Sequence, residues 1–278
     1  MPSRLTRRSL LLGGAAVAAS ACSPPAREQV PVEYLPPSPA SPVPPPVPVS
    51  ARRLRSVARG KDVDLVLIAP EGVPIAGLPV CLALHGKGNN ARGFVDLGVP
   101  GMLTDAVRAG TPPFAVVAVD GEHYWVDVDG GDDPQRMLGE ELPGWLAESG
   151  IAAPSAALGV SMGAFGALRY ARDHRDLRAT VACSPALFVD WPDAEKREVF
   201  RDQSQWESHE PLLHTGELVP ESLGVWCGED DPFIGAARRL ASATTPARTE
   251  IGAGGHDDDY WKTAMPEILR FVGARLAS

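Results

Sequence analysis

Gly159-Val160-Ser161-Met162-Gly163 stands between the short apolar run Ala156-Ala157-Leu158 and the helix-period segment Met162-Gly163-Ala164-Phe165-Gly166-Ala167-Leu168. The pattern G-x-S-x-G is weak by itself in a chain with 28 glycines among 278 residues. At a strand-to-helix junction it becomes specific, because it describes a sharp turn that strains the serine backbone and lifts the hydroxyl clear of a sheet. Glycines on either side let strand and helix approach closely. Gly166 and Ala167 are expected to keep that helix near the sheet.

Outward from this turn the chain alternates. Apolar runs at 79–84, 114–119, 179–183 and 223–227, with 156–158 itself, are too continuous for a sheet covered on one face and predict buried parallel strands. Helix-period segments at 102–108, 134–148, 162–173 and 258–276 fall between or after them. Upstream, strands at 53–58 and 63–69 flank Arg59-Gly60-Lys61-Asp62, whose glycine suits a hairpin turn. The expected architecture is α/β: a mostly parallel, doubly wound sheet with an antiparallel N-terminal hairpin and helices on both faces. Residues 185–221 stand outside the alternation and are expected to form an insertion over the site.

A serine hydroxyl needs a base within hydrogen-bond reach, oriented in turn by a carboxylate. Among six histidines, only His256 sits on a Gly-rich loop, Gly254-Gly255-His256, after the last apolar stretch and before the final helix. Where a turn of this kind carries the nucleophile, the partners follow in the order Ser, acid, His. The acid is expected at the strand end Trp226-Cys227-Gly228-Glu229-Asp230-Asp231-Pro232. Asp231 is preferred because the following proline holds it extended or in a turn, with Asp230 and then Glu229 as alternatives. Two backbone N–H groups should face the developing oxyanion. Met162 follows the nucleophile directly, and Lys87, with Gly88 as alternate, belongs to His85-Gly86-Lys87-Gly88 after the third strand.

The segment from Leu78 to Gly86, Val119-Asp120-Gly121, Glu140-Glu141-Leu142-Pro143, the turn at Ser161 and Gly255-His256-Asp257 before Tyr260-Trp261 together resemble one family of esterases. Esterase D, feruloyl esterases and the exported mycolyltransferases belong to it, and the similarity extends over residues 52–276. The resemblance implies the α/β-hydrolase fold, acyl-ester chemistry on a serine nucleophile and no cofactor. Residues 185–221 match nothing in that pattern. A small-molecule, lipid or glycan ester is the substrate expected. Hydrolysis is the leading reading. Acyl transfer of the mycolyltransferase type, and a non-catalytic envelope-binding module, are the alternatives.

Residues 1–22 have a basic start with paired Arg7 and Arg8, an apolar stretch and Ala19-Ser20-Ala21-Cys22, which reads as a twin-arginine-like export signal with a lipidation site at Cys22. Residues 24–50 carry 11 of the 28 prolines and read as a linker spanning 23–50, ahead of a folded domain at 51–278. The protein is accordingly expected outside the cell, on the outer face of the cytoplasmic membrane as a lipoprotein or secreted. Its net charge of −9 becomes −12 without residues 1–21, with 23 basic against 35 acidic residues, which argues against nucleic-acid partners. Beyond Cys22, Cys81, Cys183 and Cys227 lie in apolar runs and read as buried free thiols, with a Cys183–Cys227 bridge as the alternative.

Residues 127–133, Asp-Val-Asp-Gly-Gly-Asp-Asp, lack the ligand order of a calcium loop and read as a solvated acidic loop, so no metal is expected. Asp257, Asp258 and Asp259 should open the final helix and give the site an acidic mouth that disfavours anionic substrates. In the insertion, Phe188, Trp191 and Trp206, with Phe200, are candidates for an aromatic substrate wall.

Overall fold

The computed structural model describes residues 48–278. The export signal, Cys22 and nearly all of the proline-rich stretch therefore lie outside the described residues. In chain order the strands are β1 (Val49–Ser56), β2 (Lys61–Ile68), β3 (Val80–Leu84), β4 (Ala115–Val119), β5 (Pro154–Val160), β6 (Ala179–Cys183), β7 (Leu223–Gly228) and β8 (Arg248–Gly252). The helices are α1 (Gly93–Asp96), α2 (Val99–Arg108), α3 (Pro134–Arg136), α4 (Leu142–Ala147), α5 (Met162–Asp173), α6 (Trp191–Glu195), α7 (Gln203–His209), α8 (Ile234–Thr244) and α9 (Asp258–Leu276). A π-helical turn at Met137–Glu141 joins α3 to α4.

All eight strands form one sheet in the order β1-β2-β4-β3-β5-β6-β7-β8. β1 and β2 pair antiparallel, β2 pairs antiparallel with β4, and every later pairing is parallel. Parallel strands end at the same edge, so the loops after β3, β5, β7 and β8 meet there.

Strand pleating divides the core in two. Val63, Leu65 and Leu67 of β2 and Val80, Leu82 and Leu84 of β3 pack on one face with Leu142 and Leu146 of α4, Phe165 and Leu168 of α5, and Leu240 of α8. On the other, Val66, Ile68, Cys81 and Ala83 meet Leu103 of α2 and Ile268, Leu269 and Val272 of α9. Each fully buried aliphatic side chain of this kind contributes roughly 1.5–3 kcal/mol before conformational entropy is subtracted.

The expected elements are present with shifted ends. β1 begins at Val49, inside the stretch read as linker, and ends at Ser56. The hairpin turn falls at residues 57–60, where Gly60 takes φ 64° and donates its N–H to the Val57 carbonyl at 3.2 Å. Outside the insertion, α1, β8 and α8 escaped the sequence reading. β8 is a largely uncovered edge strand without an apolar run, and α8 is a helix rich in small residues. Residues 185–221 fold between β6 and β7 as α6, α7 and short 3-10 turns. Among the described residues no helix is long and apolar enough to cross a membrane.

Candidate active site

Ser161 occupies the junction of β5 and α5 at φ 57° and ψ −121°. A non-glycine residue held there costs on the order of 1–3 kcal/mol, so its surroundings must fix it. The Ser161 N–H donates to the Cys183 carbonyl at 2.9 Å, and its own carbonyl accepts from Ala164 N–H at 2.9 Å and Ala186 N–H at 3.3 Å. A Cβ added to Gly163 would fall on the Leu84 carbonyl, and one at Gly159 on the Gly163 carbonyl. Any side chain at either position would push α5 off the sheet. Gly166 does something different from the expected helix-to-sheet contact, because a Cβ there would strike the Trp125 indole.

The structure brings the three separated residues together. Ser161 Oγ lies 2.8 Å from His256 Nε2, and His256 Nδ1 lies 2.8 Å from Asp231 Oδ2. The other Asp231 oxygen, Oδ1, accepts the Phe233 N–H at 2.8 Å. Glu229 and Asp230 are exposed, whereas Asp231 is 1% exposed. Burial works to raise the Asp231 pKa, but hydrogen bonds from His256, the Phe233 N–H and the Ser184 hydroxyl hold it below the usual carboxylate range. Two backbone bonds tie the acid loop to the histidine loop, Glu229 N–H to the Gly252 carbonyl at 2.8 Å and Asp230 N–H to the Gly254 carbonyl at 3.0 Å. Asp257 caps α9 by accepting the Tyr260 N–H, with Asp258 and Asp259 in the first turn.

Across from the serine, a Cβ at Gly86 would lie 3.3 Å from Ser161 Cβ, so the loop after β3 abuts Ser161. His85 holds this loop. Its Nε2 accepts the Gly121 N–H at 3.0 Å, which leaves the proton on Nδ1, and Nδ1 donates to the Gly86 carbonyl at 2.9 Å. Burial pushes the His85 pKa down and favours this neutral form. In a trans peptide the Lys87 N–H points away from the Gly86 carbonyl, so this bond sets the direction of the expected donor. Gly88 lies one residue further along the same turn, and Met162 opens α5 beside Ser161.

A cleft of about 370 Å³ opens at the serine, with Phe94, Tyr124, Arg197, Phe233 and Trp261 around Ser161 and His256. None of Phe188, Trp191 and Trp206 lines it, which corrects the expected substrate wall. Phe188 is fully buried beneath Tyr124 and Phe233, with ring centroids 5.3 and 6.3 Å away. Phe200 joins that cluster, 5.9 Å from Phe188. Trp191 and Trp206 pack on each other at 6.2 Å, and the Trp206 indole N–H donates to Glu210 at 3.2 Å. These aromatics form the core of the insertion, and the wall comes from α1 through Phe94, the turn after β4 through Tyr124, the loop after β7 through Phe233 and α9 through Trp261, with Arg197 as the insertion's contribution. The mouth is also less acidic than expected. Asp258 and Asp96 line the cleft, but so do Arg197 and Lys87.

Part of the acidic loop at 127–133 is paired with protein groups. Asp127 meets His209 at 3.0 Å, Asp129 meets Arg201 at 2.9 Å, and Asp132 pairs with buried Arg59 and with Lys61. Glu122, His123 and Asp132 cluster beside those same two cations. Cys81, Cys183 and Cys227 are free and buried, and burial pushes all three thiols up.

The profile of the Esterase family, described as "Putative esterase", matches residues 56–272. No curated protein matches the chain. A ferulic acid esterase structure is 20% identical, with 82% of this chain and 98% of that one covered at a TM-score of 0.69. An S-formylglutathione hydrolase from Agrobacterium tumefaciens is 16% identical, with coverages of 82% and 95% and a TM-score of 0.68. Another from Staphylococcus aureus is 18% identical, with coverages of 81% and 98% and a TM-score of 0.62. At these identities the likeness is one of fold.

Proposed function

The chain belongs to the Esterase family, and on that premise we propose that it is an exported serine carboxylesterase working through an acyl-enzyme on Ser161. The observation that carries this reading is the pair of 2.8 Å contacts from Ser161 Oγ to His256 and from His256 to Asp231. In the cycle, His256 Nε2 takes the serine proton as Oγ attacks the acyl carbon. Asp231 holds the imidazole in the required tautomer and stabilises it once it is positive. The N–H groups of Met162 and Lys87, with Gly88 as alternate, bind the oxyanion. His256 then protonates the departing alcohol, and a water molecule, activated by the same imidazole, releases the acid.

Purified protein assayed with a nitrophenyl ester series, with Ser161→Ala as control and glycerol or a sugar as acceptor, tests the proposal. Hydrolysis lost in the variant supports it. Transfer exceeding hydrolysis would favour an acyltransferase, and absence of both Ser161-dependent turnover and fluorophosphonate labelling would favour a binding module. Export and lipidation rest on residues 1–22. Cell fractionation checks them: Cys22→Ala should move the protein from membrane to soluble fractions, and no change would remove the anchor from the proposal.

A further inference from the structure

The cleft contains two cations, Lys87 and Arg197, both exposed and neither in an ion pair among the described residues, and of the two Arg197 is the one held against aromatic rings. Arg197 lines the cleft with the guanidinium carbon 5.2 Å from the Phe233 ring centroid and 5.9 Å from that of Phe188. Two aromatic rings thus hold the charge in place without supplying a counter-charge. Arg197 enters no ion pair among the described residues, although Asp96 and Asp258 line the same cleft.

Tyr124 supplies an independent observation. Its hydroxyl makes no hydrogen bond among the described residues, yet it is not sealed from the cleft that the residue lines. The backbone is strained to put it there. His123, Tyr124 and Trp125 are consecutive left-handed residues at φ 50°, 57° and 59°, a conformation that costs roughly 1–2 kcal/mol per residue. Burial raises the Tyr124 pKa, and the positive charge of nearby Arg197 opposes that rise. An unpaired guanidinium and an unpaired hydroxyl at one cleft match the acceptor oxygens of a carboxylate.

Position selects which half of the substrate carries that group. Phe233, under Arg197, lies 5.3 Å from the His256 ring. The imidazole delivers its proton to the departing oxygen; Phe233 and Trp261, 5.3 and 5.4 Å from its ring, both line the cleft beside it, and Arg197 sits over Phe233, which puts the guanidinium within reach of the alcohol portion. We propose that Arg197 and the Tyr124 hydroxyl form a subsite for a carboxylate on the alcohol portion of the ester. This rests on the esterase reading above, and it reverses the preference for neutral substrates expected from Asp257 to Asp259.

The test compares the full-length protein on the acetyl esters of 4-hydroxybenzoate and of its neutral isostere 4-hydroxybenzamide. The ratio of kcat/KM for the anionic to the neutral ester should fall about tenfold in Arg197→Gln, mainly through KM. It should fall less in Arg197→Lys and about threefold in Tyr124→Phe. About 0.5 M salt should lower the wild-type ratio towards that of Arg197→Gln. Nitrophenyl hemisuccinate, charged on the acyl side, should not follow Arg197, and dependence on Arg197 there would overturn the assignment to the alcohol portion. Turnover of both acetyl esters with a ratio unchanged in Arg197→Gln would overturn the subsite alone. No Ser161-dependent turnover of either would overturn the subsite and the esterase reading together.

Discussion

Asp231 and Glu210 are both sealed carboxylates, one on the loop after β7 and the other at the end of α7 in the insertion. Burial works to raise both. Glu210 ends at about 7 although Leu212 N–H, Phe188 N–H and the Trp206 indole N–H all donate to it. Asp231 ends below the usual range because the hydrogen bond from His256, then the Phe233 N–H, the His256 charge and the Ser184 hydroxyl together outweigh burial. At Glu210 neutral N–H donors and the charge of Arg239 only moderate the cost of burial, whereas at Asp231 a directly hydrogen-bonded imidazole helps to reverse it. The first arrangement holds a cap together, and the second can move a proton.

Asp231→Asn should have the largest effect. Its amide would offer an N–H to His256 Nδ1 or leave the wrong tautomer in place, so kcat on a nitrophenyl ester should drop about 10⁴-fold with little change in Tm. A comparable fall in stability would mean that Asp231 is architectural like Glu210, and the contrast would fail.

Opposite pKa displacements also predict opposite slopes of stability against pH. Glu210 binds its proton more tightly folded than unfolded, so its contribution is complete below about 4.5 and is lost as pH rises through about 7. The displacement corresponds to about 3 kcal/mol at most. Asp231 behaves conversely, with its contribution present above about 3.8 and lost as pH falls through its lower folded value. Urea unfolding at about pH 5 and pH 8 should therefore show a loss on the alkaline side that Glu210→Gln removes. An unchanged slope in that variant would assign the loss to other groups.

His85 lies between these extremes, since it titrates yet takes no direct part in the proposed proton transfers. His85→Gln should lower kcat about tenfold to a hundredfold by releasing the Gly86–Lys87 peptide, with KM little affected. Loss of KM and kcat together would instead indicate a collapsed loop.

The sheet and the three residues that meet at the site were legible because each left a mark in one dimension. Continuous apolar runs gave the inner strands, Gly-flanked Ser161 gave the turn, and strand ends in fixed order gave Asp231 and His256. The cleft wall left none. Tyr124 enters it through a left-handed turn that no local residue preference announces, and Arg197 looks like any surface charge in the sequence. β8 was missed for a related reason, since an edge strand need not be apolar.

The misplaced aromatic wall gives the smallest and most local prediction. Trp191 packs against Trp206 away from the cleft, whereas Phe233 stands in it between Arg197 and His256. Trp191→Phe removes part of a half-buried ring and should cost less than about 1.5 kcal/mol, leaving the ranking of acyl chain lengths as it was. Phe233→Leu keeps an apolar surface but removes the face that supports both Arg197 and the imidazole, so it should alter selectivity before stability. Measuring both variants on one ester series separates the cap's interior from the cleft's lining. If Trp191→Phe moved the ranking and Phe233→Leu did not, the aromatic interior of the insertion would govern substrate choice. Glu210, which fastens Phe188 and Trp206 beneath the site, would then act on specificity through the aromatics it holds.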